Sequence, residues 1–315
     1  MFLQKAQVGQ NKWWMYLLTF LIVAAGVLIG QLPVTAIFFI KGVNAGLSND
    51  ELNKMAESLD FSALGISQNW SLVLVLLAFV GGLLALWLSV VHIHKKPFLL
   101  LITPARSLNW QKILFGFSLW MGLSVLSEFI FYLIHPANYT LQFQPARFAG
   151  LLLISLFILP IQTSFEEIVF RGYGMQGLSL ISRFRWIPLV ITSAAFGLMH
   201  YMNPEVEAFG KEITMVYYVG VGLFLGILTL MDDSLELALG IHAATNIFGA
   251  LFVTFDESAL QTAALFHTSS VNMPSMLVAF FGSAIIFTIL ASRKYRWRDW
   301  SKIYGPVEKP EINQA

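Results

Sequence analysis

Six polar residues stand in otherwise apolar stretches and carry groups able to do chemistry: Glu166, Glu167, Arg171, His200, His242 and Asn246. One charge at the centre of a bilayer costs roughly 2.5–3.5 kcal/mol on insertion scales, so two carboxylates and a guanidinium close to hydrocarbon imply a use. On a helix Glu167 and Arg171 are four apart and share a face, with the acid N-terminal to the cation, the favourable order. Glu166 projects about 100° away and is expected to lack a local partner. The spacing therefore predicts that Arg171 holds Glu167 and leaves Glu166 free to react. His242 and Asn246 are also four apart and project from one helix face. A Glu, two His and an Asn that converge form a general acid–base and hydrogen-bond-donor set.

These groups must be positioned by helices in a membrane. The chain has 315 residues, 57% hydrophobic and 12% charged, the composition of a polytopic membrane protein. Its net charge of +1 gives no sign of nucleic-acid binding. The absence of cysteine excludes disulfides, thiolate metal sites and a Cys nucleophile. Apolar segments lie at 13–31, 70–91, 113–134, 148–170, 186–200, 214–230, 235–254 and 273–291. Most approach the ~20 residues needed to cross the hydrocarbon, and the fifth is short. The expected fold is all-α, with about eight transmembrane helices and the site among the fourth, fifth and seventh. Residues 1–315 read as a single membrane domain with a motif-bearing core at about 150–255. The first segment reads as a retained span that Pro33 ends or kinks. The polar connection 42–68 is expected to hold a short helix capped at Ser48-Asn49-Asp50-Glu51.

An even number of spans puts both termini on one side. Of the 19 Lys and Arg, only Lys41, Lys54, Arg147 and Lys211 then fall in the outer connections, which predicts cytoplasmic termini. Trp70, Trp110, Trp186, Trp297 and Trp300 stand at segment ends, as interface anchors do. If the fourth and fifth segments form a hairpin turning near 183–185, Glu166 lies about 18 residues before the turn and His200 about 16 after it. They then sit at nearly one height. His242, only about 7 residues into its own span, is placed roughly 10 Å deep and does not reach that height without tilt, a re-entrant fifth segment or an early start of the seventh.

EExxxR, FxxxH and HxxxN, in that order on successive apolar segments, resemble the signature of the CAAX-protease and bacteriocin-processing (Abi) family of intramembrane endopeptidases. The three motifs stand here as Glu166–Arg171, Phe196–His200 and His242–Asn246, and the flanking residues 162–165 and 171–173 look like bacterial members. The resemblance covers residues 150–255. It implies hydrolysis of a peptide bond of a membrane-associated peptide or protein, in a bacterial cytoplasmic membrane. It implies that Glu166 activates water, that His200 positions that water or shares its proton, and that His242 and Asn246 stabilise the oxyanion. Glu167 and Arg171 then hold the helix and orient Glu166. Eukaryotic relatives act on prenylated C-terminal tails, and bacterial ones are linked to bacteriocin maturation and immunity. The bacterial flanks make prenylated tails the weaker expectation.

Glu166, His200 and His242 also match a Zn²⁺ set with one open position. The expectation is nonetheless no cofactor, because Asn246 is a poor zinc ligand and a good oxyanion donor. Two other classes compete. Intramembrane Glu, His and Arg also mark ion- or proton-coupled transporters, although no paired broken helices stand out. A catalytically silent immunity or scaffold protein would not need all four polar residues intact. Glu128 in the third segment matches no motif and is expected to face a cavity or pair with a cation. Gly220, Gly222 and Gly226 are expected to allow close helix approach.

Overall fold

All eight apolar segments are helical in a computed structural model, which describes residues 1–44, 46, 48, 55, 61–260 and 262–308. In chain order they are α1 (Trp13–Asn44), α2 (Gln68–His92), α3 (Trp110–Ile134), α4 (Pro145–Ser179), α5 (Trp186–Met199), α6 (Lys211–Asp232), α7 (Glu236–Leu251) and α8 (Met273–Tyr295). The protein is an all-α polytopic membrane protein. Among the described residues, six helices are long and apolar enough to cross a bilayer. α5 and α7 have 14 and 16 residues, about 21 and 24 Å by helix rise. α1 continues through Pro33 rather than ending there. Apart from Ser48, the short helix expected at Ser48-Asn49-Asp50-Glu51 lies outside the described residues.

Side chains set several helix starts. Ser67, Asn109 and Asn272 accept from the backbone N–H of Trp70, Lys112 and Ser275, which satisfies a donor that has no partner within the helix. α4 is interrupted twice. Its regular stretches are Pro145–Phe157 and Leu159–Glu167. Pro160 explains the break between them, because it has no N–H and its ring clashes with the carbonyl four residues before it. From Ile168 to Gly174 the helix widens into a π turn before Met175–Ser179 completes it.

The ends of the helices sort into two groups. At one end the N-terminal segment, the α2–α3 connection, the α4–α5 and α6–α7 turns and residues 296–308 lie together. Leu235 N–H donates to Ile102 O at 2.8 Å and Arg185 N–H to Gly305 O at 2.9 Å. Asp233 turns the chain there with φ +55°, and its carboxylate accepts from Phe2 N–H and Lys302 Nζ. At the other end lies a small sheet of β1 (Tyr139–Leu141), β2 (Val253–Thr254) and β3 (Phe266–Thr268), with β3 central, antiparallel to β1 and parallel to β2.

α7 sits in the middle. Every residue on it from Glu236 to His242 is buried, so its first two turns are enclosed on all sides. Two glycines allow the approach that encloses it and its neighbours. A Cβ on Gly240 would lie 2.1 Å from Ile113 O of α3, and one on Gly222 would lie 2.9 Å from Ser193 of α5. α1 and α3 lie on the outside, and Trp13, Trp70, Trp110, Trp186 and Trp300 are exposed near helix ends, where interface anchors belong.

Candidate active site

The end of the regular stretch Leu159–Glu167, the widened turn after it and the middle of α7 bring four ionisable groups together. Arg171 Nη1 donates to Glu167 Oε1 at 2.8 Å, and both side chains are fully buried. Arg171 Nη2 donates to Gly222 O at 3.2 Å, the carbonyl that the close α5–α6 contact holds in place, and the guanidinium lies 4.3 Å over the Phe196 ring. The same Glu167 oxygen accepts from His242 Nδ1 at 2.8 Å. That bond sets the tautomer, since a carboxylate can only accept, and leaves Nε2 facing Glu166 Oε2 at 3.4 Å. Glu166 is the more accessible carboxylate, with its side chain 12% exposed against 0% for Glu167.

Glu166 is braced rather than free. Gln162, one turn before it on α4, donates to Oε1 at 3.2 Å, and Asn246 Nδ2 donates to Gln162 Oε1 at 3.2 Å. Glu166 Oε2 is buried with no hydrogen-bond partner among the described residues. Its surroundings limit its freedom, but that oxygen is left to act.

His200 caps the short α5. Its Nδ1 donates to Phe196 O at 2.8 Å, so Nε2 is the atom left for chemistry. The Phe196 ring stands between the two histidines, 4.6 Å from His200 and 5.9 Å from His242. Glu166 and His242 both lie within electrostatic reach of His200. The other face of His200 stacks on Tyr218 of α6 at 4.3 Å. Tyr218 OH donates to Glu205, which also accepts from Asn203 Nδ2 at 3.3 Å.

The structure thus brings together all six residues singled out by the sequence, with two differences from the expected contacts besides the Gln162 bond to Glu166. The expected depth gap at His242 does not exist, because α7 packs against the stretch Leu159–Glu167 and His242 meets both carboxylates at its end. His242 also commits Nδ1 to Glu167 and turns Nε2 to Glu166. Gln162, Asn203, Glu205 and Tyr218 were not singled out. Gln162 stands four residues before Glu166, a helical spacing that was available to find it. Glu205 and Tyr218 are 13 apart across a helix boundary and had no such signal.

A family model described as type II CAAX prenyl endopeptidase Rce1-like matches residues 148–248, which contain every one of these residues. An uncharacterized protein of Bacillus subtilis (strain 168), YyaK, is 33% identical over 279 residues, covering 88% of this chain and 90% of that protein. The chain belongs to the Rce1-like family. The family is one of CAAX protease-like intramembrane endopeptidases, and this member is an integral membrane protein. No solved structure matches it.

Zinc chemistry would need three ligands around one point. Among the described residues no three His, Cys, Asp or Glu side chains converge closely enough to hold a metal ion. With Nδ1 of His242 bound to Glu167 and Nδ1 of His200 bound to Phe196 O, each ring offers Nε2 alone.

Proposed function

We propose that this Rce1-like protein hydrolyses a peptide bond in a membrane-associated segment, using a water activated by Glu166. The observation that carries the reading is the split between two adjacent carboxylates. Glu167 is fully buried, with one oxygen locked between Arg171 and His242, whereas the side chain of Glu166 is 12% exposed, accepts only from Gln162 and turns Oε2 to His242 Nε2. In this reading Glu166 Oε2 takes a proton from water as the water oxygen bonds to the scissile carbonyl carbon. The carbonyl electrons move onto oxygen, and the second N–H of Asn246 Nδ2 donates to that oxyanion. Collapse breaks the C–N bond, and the proton held by Glu166 passes to the leaving amine. His200 Nε2 accepts from the attacking water and orients it. His242 Nε2, facing Glu166, shares the proton in transit, a role its geometry favours over the oxyanion role that the resemblance implies. Glu167 and Arg171 position His242 and the π turn.

The substrate class follows from where the groups lie. All come from helices embedded in the bilayer, so a membrane-anchored peptide should be cleaved faster than the same peptide without its anchor. We assign both termini to the cytoplasmic side, on the Lys and Arg bias. Cysteines placed at Ser48 and Ser301 should then label from opposite sides, and labelling from one side would overturn the orientation.

The test is cleavage of an acyl-anchored peptide in detergent by wild type and Glu166→Gln, with and without a strong chelator. Expected are an active wild type, unaffected by chelation, and an inactive variant. An equally active Glu166→Gln would overturn the mechanism. Loss of activity on chelation with recovery on adding Zn²⁺ would replace it with a zinc mechanism using Glu166, His200 and His242.

A further inference from the structure

Glu128 belongs to none of the three motifs and lies outside the residues matched by the family model. It projects from α3 into a second cavity, about 620 Å³ in volume, bounded by α3, α7, α8 and the loops at the sheet end. Its carboxylate accepts from Tyr139 OH at 2.6 Å. Among the described residues it forms no ion pair, and no Lys or Arg lines the cavity. Glu128 is half-buried; even partly withdrawing a carboxylate from water without a cation is costly, and one phenolic hydroxyl offsets only part of that cost. The walls include the rings of Trp120, Phe131, Tyr217 and Phe280, whose faces attract cations.

The cavity adjoins the catalytic cluster through neighbouring residues of the same helices. On α7 Thr245 lines the cavity while Asn246 reaches Gln162. On α6 Tyr217 lines it while Tyr218 stacks on His200. Trp120 Nε1 donates to Thr245 Oγ1 at 2.8 Å and stiffens the wall.

We propose that this cavity is a specificity subsite that receives a lysine or arginine side chain of the peptide substrate, with Glu128 as its counter-charge. The inference rests on the endopeptidase reading above and adds which substrates are preferred. Glu128 supplies the charge and the aromatic rings cover the alkyl stem. The remaining polar lining, including Ser127, Asn138 and Asn272, is suited to a peptide backbone. A phospholipid ammonium would bring a phosphate, for which the lining holds no Lys or Arg.

The experiment measures binding separately from cleavage. In a Glu166→Gln background, dansyl-labelled acyl peptides carrying lysine or uncharged norleucine at each position in turn are titrated into protein in phosphatidylglycerol nanodiscs. At one position lysine should bind ~10-fold tighter than norleucine, and Glu128→Gln should bring the ratio near one while the melting temperature is kept. If Glu128→Gln melts early, Ser283→Trp, which fills the cavity and leaves the carboxylate, should remove the preference instead. No position with a lysine preference, or a preference that survives both changes, would overturn the subsite. A preference that disappears in phosphatidylethanolamine nanodiscs would assign the cavity to a lipid headgroup and equally overturn it. Because these peptides are not turned over, failure of the protease reading would show in the cleavage assay and leave these ratios unchanged.

Discussion

Two buried histidines bond to α4, His94 to Tyr173 and His242 to Glu167, and they are built differently. His94, just beyond α2, donates from Nδ1 to Gln10 O at 2.8 Å, and its Nε2 lies 2.9 Å from Tyr173 OH and 3.3 Å from Thr19 Oγ1. Every partner is neutral. Burial, with Lys96 nearby, holds the ring below the ordinary histidine value despite the bond to Gln10, which suits a neutral network. His242 is also buried, but both of its nitrogens face carboxylates. Around it three buried atoms, Glu166 Oε2, Glu167 Oε2 and Arg171 Nε, have no hydrogen-bond partner among the described residues, whereas none of the His94 network is in that condition. Burial therefore does not distinguish a structural histidine from a reactive one. The charge of the neighbours and the completeness of their bonding do.

That contrast breaks most sharply at Glu166. Glu166→Gln should lower kcat by about 10³-fold, within the range that general acid–base groups contribute, while the detergent melting curve stays close to wild type. Glu167→Ala should instead leave Arg171 buried without its partner and cost roughly 3–5 kcal/mol of stability as well as activity. The double change Glu167→Gln with Arg171→Met should recover most of the stability of Glu167→Ala, because the unpaired cation is gone, and none of the activity of Glu166→Gln. An early-melting Glu166→Gln beside a stable, inactive Glu167→Ala would mean the two carboxylates are assigned the wrong way round.

The histidines themselves come next. His242→Phe should lower kcat by about 10²-fold. His94→Phe should keep most of the activity and lose about 1–3 kcal/mol, the cost of stranding Gln10 O and Tyr173 OH. Comparable activity losses in both would erase the distinction between the networks.

The smallest effect concerns Lys96, beside His94 and outside the spans. It is buried with Gln176 as its side-chain partner, and burial, reinforced by Lys5, pulls its ammonium down from 10.5 to about 8. Between those values the unfolded chain holds the proton and the folded one does not, so stability should rise with pH across pH 8 to 10.5. Lys96→Met should flatten that slope in melting curves recorded across the window. An unchanged slope would mean that Lys96 is not its source.

Local spacing accounts for much that was legible in the chain. Apolar runs close to the width of a bilayer mark the helices and the short α5. The i,i+4 spacing pairs Glu167 with Arg171, and the observed 2.8 Å contact obeys it. The order of three motifs brings out the six residues now found together. Neither the His242 bond to Glu167, 75 residues away, nor the π turn follows from such spacing. The Tyr218–Glu205 support of His200 was hidden for the same reason, whereas the cavity that Glu128 faces was one of its two expected surroundings. Sequence periodicity speaks for contacts within about a turn of one helix. Contacts between helices depend on how near two axes approach, and here that is decided where Gly222 and Gly240 let backbones meet and where Asp233 turns α6 into α7. The residue types, their order and the Glu167–Arg171 pair came from the sequence, but that Glu167 also holds His242 and that Asn246 reaches Gln162 was decided only when the helices packed.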